Sequence, residues 1–285
     1  MRPVAFDYTA PASLDEAVEA LVTNGDEAKI IGGGQSLMPV LRLRMADPGI
    51  LVDLRKITGL TEIREEGDEL VIGAMATHHA VANDALIQTH AGVLSQAALS
   101  VGDPQIRYRG TIGGALAHAD PAGDIGPAVL ALDATMEIAG PNGARTVSAS
   151  DFFVDLFTTA LSEDEVLTAI RVPKHTGWGM HYEKFSQVAQ SWAMVAIAAV
   201  VRRDGDTVSE ARLGMSNMGS TPLRAKAAEA ALAGVAADPA AVTQACERAS
   251  DDTTPPSDAS ATTEYRQHLA RVLTGRAVLA AAGLS

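Results

Sequence analysis

Two stretches of the chain combine residue types that could hold a phosphate. The first is Lys29-Ile30-Ile31-Gly32-Gly33-Gly34-Gln35-Ser36. Successive glycines let several backbone N–H groups converge on an anion and let a diphosphate approach the main chain, and Ser36 would open the next helix, whose N-terminus favours negative charge. A tight turn between strand and helix is the plainer reading of the same glycines, and this stretch alone does not separate the two. The second is Asp103-Pro104-Gln105-Ile106-Arg107-Tyr108-Arg109-Gly110-Thr111-Ile112-Gly113-Gly114, where a basic pair precedes a further loop of free amides and a hydroxyl. Two such loops could clamp a diphosphate from both sides, which points to a large cofactor with a diphosphate in its middle. Asp124, just beyond, could accept hydrogen bonds from a ribose or another hydroxyl. Two unrelated turns are the alternative.

Competing chemistries fit less well. Gly32 and Gly34 begin a dinucleotide fingerprint, and Asp53 follows Gly34 by nineteen residues, as in a stand-alone NAD(P)-dependent oxidoreductase. Leu37 occupies the place of the third glycine, so the close helix–strand approach of that fold is missing. Gly34-Gln35-Ser36-Leu37-Met38 lacks the second glycine of a hydrolase nucleophile elbow. Adjacent His78 and His79 would point about 100° apart on a helix, and His118, Asp120 and Asp124 lack zinc-site spacing, so no metal site is expected. Cys246 lies in an apolar helical pattern and reads as core.

The elements that must carry these loops alternate in type. Ser13 and Glu16 form a capping box for a helix that stops at Gly25, Ala28 to Ile31 reads as a strand, Leu37 to Met45 as a helix, and Ile50 to Leu54 as a second strand. The first glycine run thus sits at the carboxyl end of a strand in a β-loop-α-β unit. A hairpin about Glu66-Gly67-Asp68, helices from His78 to Ala85 and Val93 to Val101, and strands at Thr135 to Ile138, Arg145 to Val147 and Glu165 to Val172 fill the rest of the first half. Pro173 to Gly179 reads as a linker. A buried strand from Trp192 to Arg202 turns at Asp204-Gly205-Asp206 into Val208 to Gly214, and helices follow at Pro222 to Leu232, Asp238 to Ser250 and Thr263 to Ala282.

Composition narrows the partners. The 285 residues carry 22 Lys plus Arg against 35 Asp plus Glu, a formal charge of −13, the wrong sign for gripping nucleic acid. No stretch offers a signal peptide or the roughly 20 apolar residues of a membrane span, so a cytoplasmic protein is expected. One cysteine excludes a disulfide framework and any iron–sulfur cluster held by four cysteines of this chain.

Taken together, Gly32 to Ser36, Thr111-Ile112-Gly113-Gly114-Ala115, Lys29 before the first loop, Asp120-Pro121-Ala122-Gly123-Asp124 after the second and Tyr182-Glu183-Lys184-Phe185 resemble the FAD-binding medium subunits of molybdenum hydroxylases, nearest the aerobic carbon monoxide dehydrogenase branch. Phe6-Asp7-Tyr8, Leu51 to Arg55 and Gly214-Met215-Ser216-Asn217 extend the resemblance over nearly the whole chain. It implies an α+β architecture: a two-part FAD-binding domain of the vanillyl-alcohol-oxidase type over 1–175, with subdomains 1–55 and 56–175, and a C-terminal domain over 176–285 of a three-stranded antiparallel sheet with a helical bundle.

The resemblance also implies an FAD held by Lys29, Ile31, Gly32, Gly33, Gly34, Gln35, Ser36, Thr111, Ile112, Gly113, Gly114 and Ala115, with Asp124 near the ribose and Lys184 near the flavin ring. Trp192 matches an aromatic that covers that ring in relatives, and a core aromatic at a strand start is its other reading. Gln35 stands where relatives often carry His, and Ala115 where many carry Asn. The partners implied are an iron–sulfur small subunit with two [2Fe–2S] clusters and a large subunit with the molybdenum cofactor, in a heterohexamer. Electrons would pass through FAD to a quinone or other acceptor, with the complex peripheral at the inner face of the cell membrane. A xanthine, aldehyde or heterocycle dehydrogenase is the alternative assembly.

Overall fold

Local chemistry starts the first unit as expected. In the computed structural model, which describes residues 2–284 and leaves the end residues Met1 and Ser285 of the two expected domains outside, Ser13 Oγ accepts from the Glu16 N–H and Glu16 Oε2 accepts from the Ala12 N–H at 2.7 Å. These bonds satisfy amides that open α1 (Leu14–Asn24), and Gly25 ends it with a φ of 52°. Strands β1 (Asp7–Thr9), β2 (Ala28–Ile31) and β3 (Ile50–Asp53) form a parallel sheet in the order β1-β3-β2. Helix α2 (Leu37–Arg42) stops three residues before the expected Met45. Leu43 and Met45 find no core and stand 61% and 74% exposed, and Arg44 turns into the left-handed region with a φ of 56°.

A five-stranded antiparallel sheet forms the second unit. It contains β4 (Ile63–Glu66), β5 (Glu69–Gly73), β6 (Thr135–Gly140), β7 (Gly143–Ser148) and β10 (Val166–Pro173), in the order β4-β5-β10-β6-β7. Between its hairpins run α3 (His78–Asn83), α4 (Ala85–His90), α5 (Gly92–Ser100), α6 (Pro104–Arg107), α7 (Ile112–His118) and α8 (Ile125–Ala131). Helix α9 (Ala149–Phe152) leads into the small hairpin of β8 (Phe153–Asp155) and β9 (Thr158–Thr159).

The third sheet explains a pattern in the sequence. Strands β11 (Gly179–Phe185), β12 (Val195–Asp204) and β13 (Thr207–Ser216) pair antiparallel. Ala196, Ala198 and Val200 pack into the same core as α5 and α8, while Val195, Ile197, Ala199 and Val201 pack against the C-terminal helices. Burial on both faces is why this strand reads as one unbroken apolar run. Two differences from expectation appear here. The three long strands gain the two-residue edges β14 (Leu223–Arg224) and β15 (Val235–Ala236), so the sheet has five strands rather than three. Consequently the first helix of the bundle, α10 (Lys226–Leu232), begins four residues after Pro222. Helices α11 (Pro239–Cys246), followed by a 3-10 turn to Ser250, and α12 (Thr263–Ala281) complete the layer, with Cys246 buried as expected.

Candidate functional site

The first glycine run leaves β2 at Ile31 and reaches α2 at Leu37. Among the described residues, no backbone acceptor engages the N–H groups of Gly33, Gly34, Gln35 or Ser36. Gly34 has a φ of 75°, a conformation that favours glycine. Ser36 occupies the N-cap position of α2 without capping it, which leaves its hydroxyl available, and Gln35 Nε2 donates to Gly33 O at 3.2 Å. Lys29 is exposed on β2, near enough for its charge to help burial hold the His118 imidazole below the usual histidine range.

The second glycine run differs from expectation. It is the first turn of α7, and its amides are engaged inside the protein: Ile112 N–H donates to Ala76 O, Gly113 N–H to Ala74 O at 2.8 Å, Gly114 N–H to Thr111 Oγ1 and Ala115 N–H to Thr111 O. The expected loop of free amides is therefore corrected to a capped helix start. What this segment offers a ligand is the Thr111 hydroxyl hydrogen and a close-packed backbone. The two runs nevertheless meet, as paired loops require. A Cβ on Gly32 would stand 2.9 Å from Thr111 Oγ1, one on Gly33 would stand 2.6 Å from Gly110 Cα, and one on Gly113 would stand 2.6 Å from Ala74 O. Side chains at Gly32 or Gly33 would force the runs apart, and one at Gly113 would push α7 off the end of β5.

Asp124 and Lys184 come together although 60 residues separate them. Lys184 Nζ donates to Asp124 Oδ2 at 2.9 Å and to Ser100 O at 3.1 Å, and Tyr182 Oη donates to Asp124 Oδ1 at 2.8 Å. Burial pushes the Asp124 carboxyl up, against the opposing pull of Lys184 and the Tyr182 hydroxyl, and pushes the Tyr182 phenol well up. Asp124 precedes α8 but makes no capping bond, because both oxygens face β11. Asp53 is fully buried and accepts from the Tyr8 hydroxyl, the Arg55 N–H and Arg55 Nε. With the carboxylate so engaged, the NAD(P) reading loses its ribose ligand.

Trp192 does not begin a strand. It lies in the loop between β11 and β12, 58% exposed, which removes the core reading. The loop is held at its base: Met194 N–H donates to Phe185 O at 2.8 Å, Asn217 Nδ2 to Ala193 O at 2.9 Å and the buried Arg266 Nη1 to Met194 O at 2.5 Å. Asn217, with a left-handed φ of 60°, also donates its N–H to Pro121 O, so the tryptophan loop is tied to the turn that carries Asp124. Tyr182, Ser100, Asn217 and Arg266 were not singled out by sequence reasoning as site residues. Readable hints existed at Tyr182, which lies in the Tyr182-Glu183-Lys184-Phe185 motif, and at Asn217, an Asn closing an apolar strand, since Asn tolerates the left-handed region.

Comparison with known proteins identifies the family. Residues 4–175 match the FAD binding domain of molybdopterin dehydrogenases, and residues 180–281 match the C-terminal domain of the CO dehydrogenase flavoprotein. The carbon monoxide dehydrogenase medium chain of Afipia carboxidovorans is 41% identical over 98% of this chain and 97% of its own length. The nicotine 6-hydroxylase medium subunit of Paenarthrobacter nicotinovorans is 34% identical over 99% of both. Among solved structures, carbon monoxide dehydrogenase from Hydrogenophaga pseudoflava superposes with a TM-score of 0.96 at 41% identity, covering 99% of this chain and 98% of that one. Quinoline 2-oxidoreductase from Pseudomonas putida reaches 0.95 at 34%, covering 99% of both chains. With family matches spanning both halves and relatives similar end to end, the chain belongs to the FAD-binding medium subunits of the molybdopterin dehydrogenases.

Proposed function

We propose that this chain is the FAD-carrying electron-transfer subunit of a molybdenum hydroxylase that oxidises carbon monoxide with water to carbon dioxide. The observation that carries the FAD part of the reading is the joint between the glycine runs, with the free amides of Gly33 to Ser36 beside the Thr111 hydroxyl, and the substrate rests on the full-length likeness to carbon monoxide dehydrogenase medium chains. Backbone N–H groups without internal partners fit a diphosphate. In this assignment Lys29 and Ile31 to Ser36 hold the diphosphate, Thr111 adds its hydroxyl, and Ile112, Gly113, Gly114 and Ala115 shape the wall through packing. Asp124, its two oxygens held by Tyr182 and Lys184, orients Lys184 toward the ring rather than meeting the ribose, and Trp192 covers the flavin. FAD, when bound, supplies two-electron acceptance and onward release of electrons.

The chain's own residues bind and orient, and the other redox centres belong to neighbours. One buried cysteine cannot hold a cluster, so electrons must arrive from a partner subunit carrying [2Fe–2S] clusters, itself fed by a subunit with the molybdenum cofactor. The acceptor is a quinone or similar carrier. No helix among the described residues is long and apolar enough to cross a membrane, so contact with the cell membrane's inner face would come through the assembly. The tests are the flavin absorption bands of the purified complex and its turnover of carbon monoxide, compared with purines, using an artificial acceptor. Flavin bands with carbon monoxide turnover support the proposal. Turnover of a heterocycle instead would favour a second reading, which rests on the full-length likeness to the nicotine and quinoline enzymes.

A further inference from the structure

Strand β11 is the edge of its sheet, and its open side lies on α5. Alternate residues of the strand meet that helix. Gln96 Nε2 donates to Met180 O at 3.4 Å, Gln96 Oε1 accepts from the Tyr182 N–H at 2.8 Å, and Ser100 O accepts from Lys184 Nζ. Asp124 completes the joint from the other side. An Asp immediately before a helix ordinarily turns back to cap it, yet here Tyr182 holds Oδ1 and Lys184 holds Oδ2. An ammonium has three N–H donors, and two of those on Lys184 are engaged by Asp124 and Ser100. The charged and titratable groups facing Asp124 are Tyr182 and Lys184 from β11 and Asp120 from its own turn, while α5 contributes the uncharged Gln96 and Ser100.

Resting on the FAD reading above, we propose that Tyr182 is a positioning residue: its hydroxyl keeps the Asp124 carboxylate turned away from α8, so that Lys184 is fixed across the domain boundary with one N–H left for the flavin. Without that hydroxyl, Oδ1 has no partner in a buried site and the carboxylate swings back to the α8 amides. The carboxylate also loses a donor that favours its charged form, so it takes up a proton at higher pH.

The test compares Tyr182→Phe, Lys184→Met and Asp124→Asn in the assembled complex. The readouts are flavin content, flavin midpoint potential and visible circular dichroism across pH. Tyr182→Phe and Lys184→Met are expected to keep their FAD. Lys184→Met removes a positive charge beside the ring and makes reduction harder, by about tenfold in the equilibrium or about 30 mV for a two-electron couple. Tyr182→Phe moves the potential the same way by part of that amount at neutral pH, and the pH at which the dichroism changes moves up. A parent-like potential and pH profile in Tyr182→Phe, beside a shifted Lys184→Met, overturns the proposal. A parent-like potential in Lys184→Met overturns it as well. Asp124→Asn keeps the side-chain shape and serves if Tyr182→Phe does not fold: bound flavin with a shifted potential supports anchoring, and bound flavin with an unshifted potential overturns it. Absence of flavin from the parent complex overturns the FAD reading and this proposal together.

Discussion

The backbone of Gly33 lies against that of Gly110, so closely that a Cβ on Gly33 would overlap the Arg109 carbonyl and stand 2.6 Å from Gly110 Cα. Glycine is required at Gly33 for contact between two segments rather than for an unusual φ. Gly33→Ala is expected to lever the runs apart at an overpacking cost of about 1–3 kcal/mol. Gly34→Ala meets only side chains, at 3.3 Å and beyond, and suffers chiefly from its positive φ, at a cost of about 1–2 kcal/mol. Flavin retained per chain after gel filtration, with thermal unfolding alongside, checks both: Gly33→Ala loses flavin out of proportion to its fall in Tm.

Trp192→Ala separates cover from core. An exposed side chain contributes little to stability, so unfolding should shift by no more than about 0.5 kcal/mol. With the indole in the covering role proposed for it, bound flavin should fluoresce more strongly once it is removed. A stability loss of several kcal/mol with unaltered fluorescence would contradict the assignment.

His78 lies beneath the second run, its N–H donating to Gly110 O at 2.9 Å and its Nδ1 buried without a partner among the described residues. Burial, with Arg107 nearby, pulls its pKa down to about 4. The unfolded chain binds a proton near 6.5 that the folded chain refuses, so stability is full above about pH 6.5 and falls by about 3 kcal/mol as pH drops toward 4. His78→Leu should remove this slope from a plot of unfolding free energy against pH.

Arg266 is 1% exposed and donates to Pro256 O, Met194 O and Asp258 Oδ2. Replacing it with Leu leaves the part-buried Met194 carbonyl without a donor among the described residues, at about 1–3 kcal/mol, while the exposed Pro256 carbonyl can turn to water. Beyond lower stability, Arg266→Leu should loosen the base of the tryptophan loop. Faster amide hydrogen exchange at Ser191 to Met194, with little change in β2, would show it.

Elements governed by short-range chemistry were legible in the sequence. The capping box at Ser13, the Glu66 to Asp68 hairpin and the strand at Ala28 to Ile31 fall where alternation and turn residues put them. The two glycine runs were found by residue type alone. What the runs do with their amides was hidden, because the acceptors of the Ile112 and Gly113 N–H groups are the carbonyls of Ala76 and Ala74, which no local pattern announces. Trp192 was misplaced because the apolar run to its C-terminal side is continuous, and only the tertiary tie of Asn217 to Ala193 shows that the strand has not yet begun. Tyr182 was visible within a motif, but its bond to Asp124 spans 58 residues and belongs to the packed fold.

The seam between α5 and β11 bears on the order in which the chain can be built. Gln96 precedes its partner Tyr182 by 86 residues, and translation at roughly 5–20 residues per second leaves the N-terminal half waiting seconds for the strand that closes it. During that interval Gln96, Ser100 and Asp124 lack the β11 partners they hold in the folded chain. Synthesised without the first half, β11 would present a bare strand edge to any neighbouring chain. Docking of this one strand both shields the edge and completes the surroundings of Lys184, so the contact that covers the strand also finishes that part of the site.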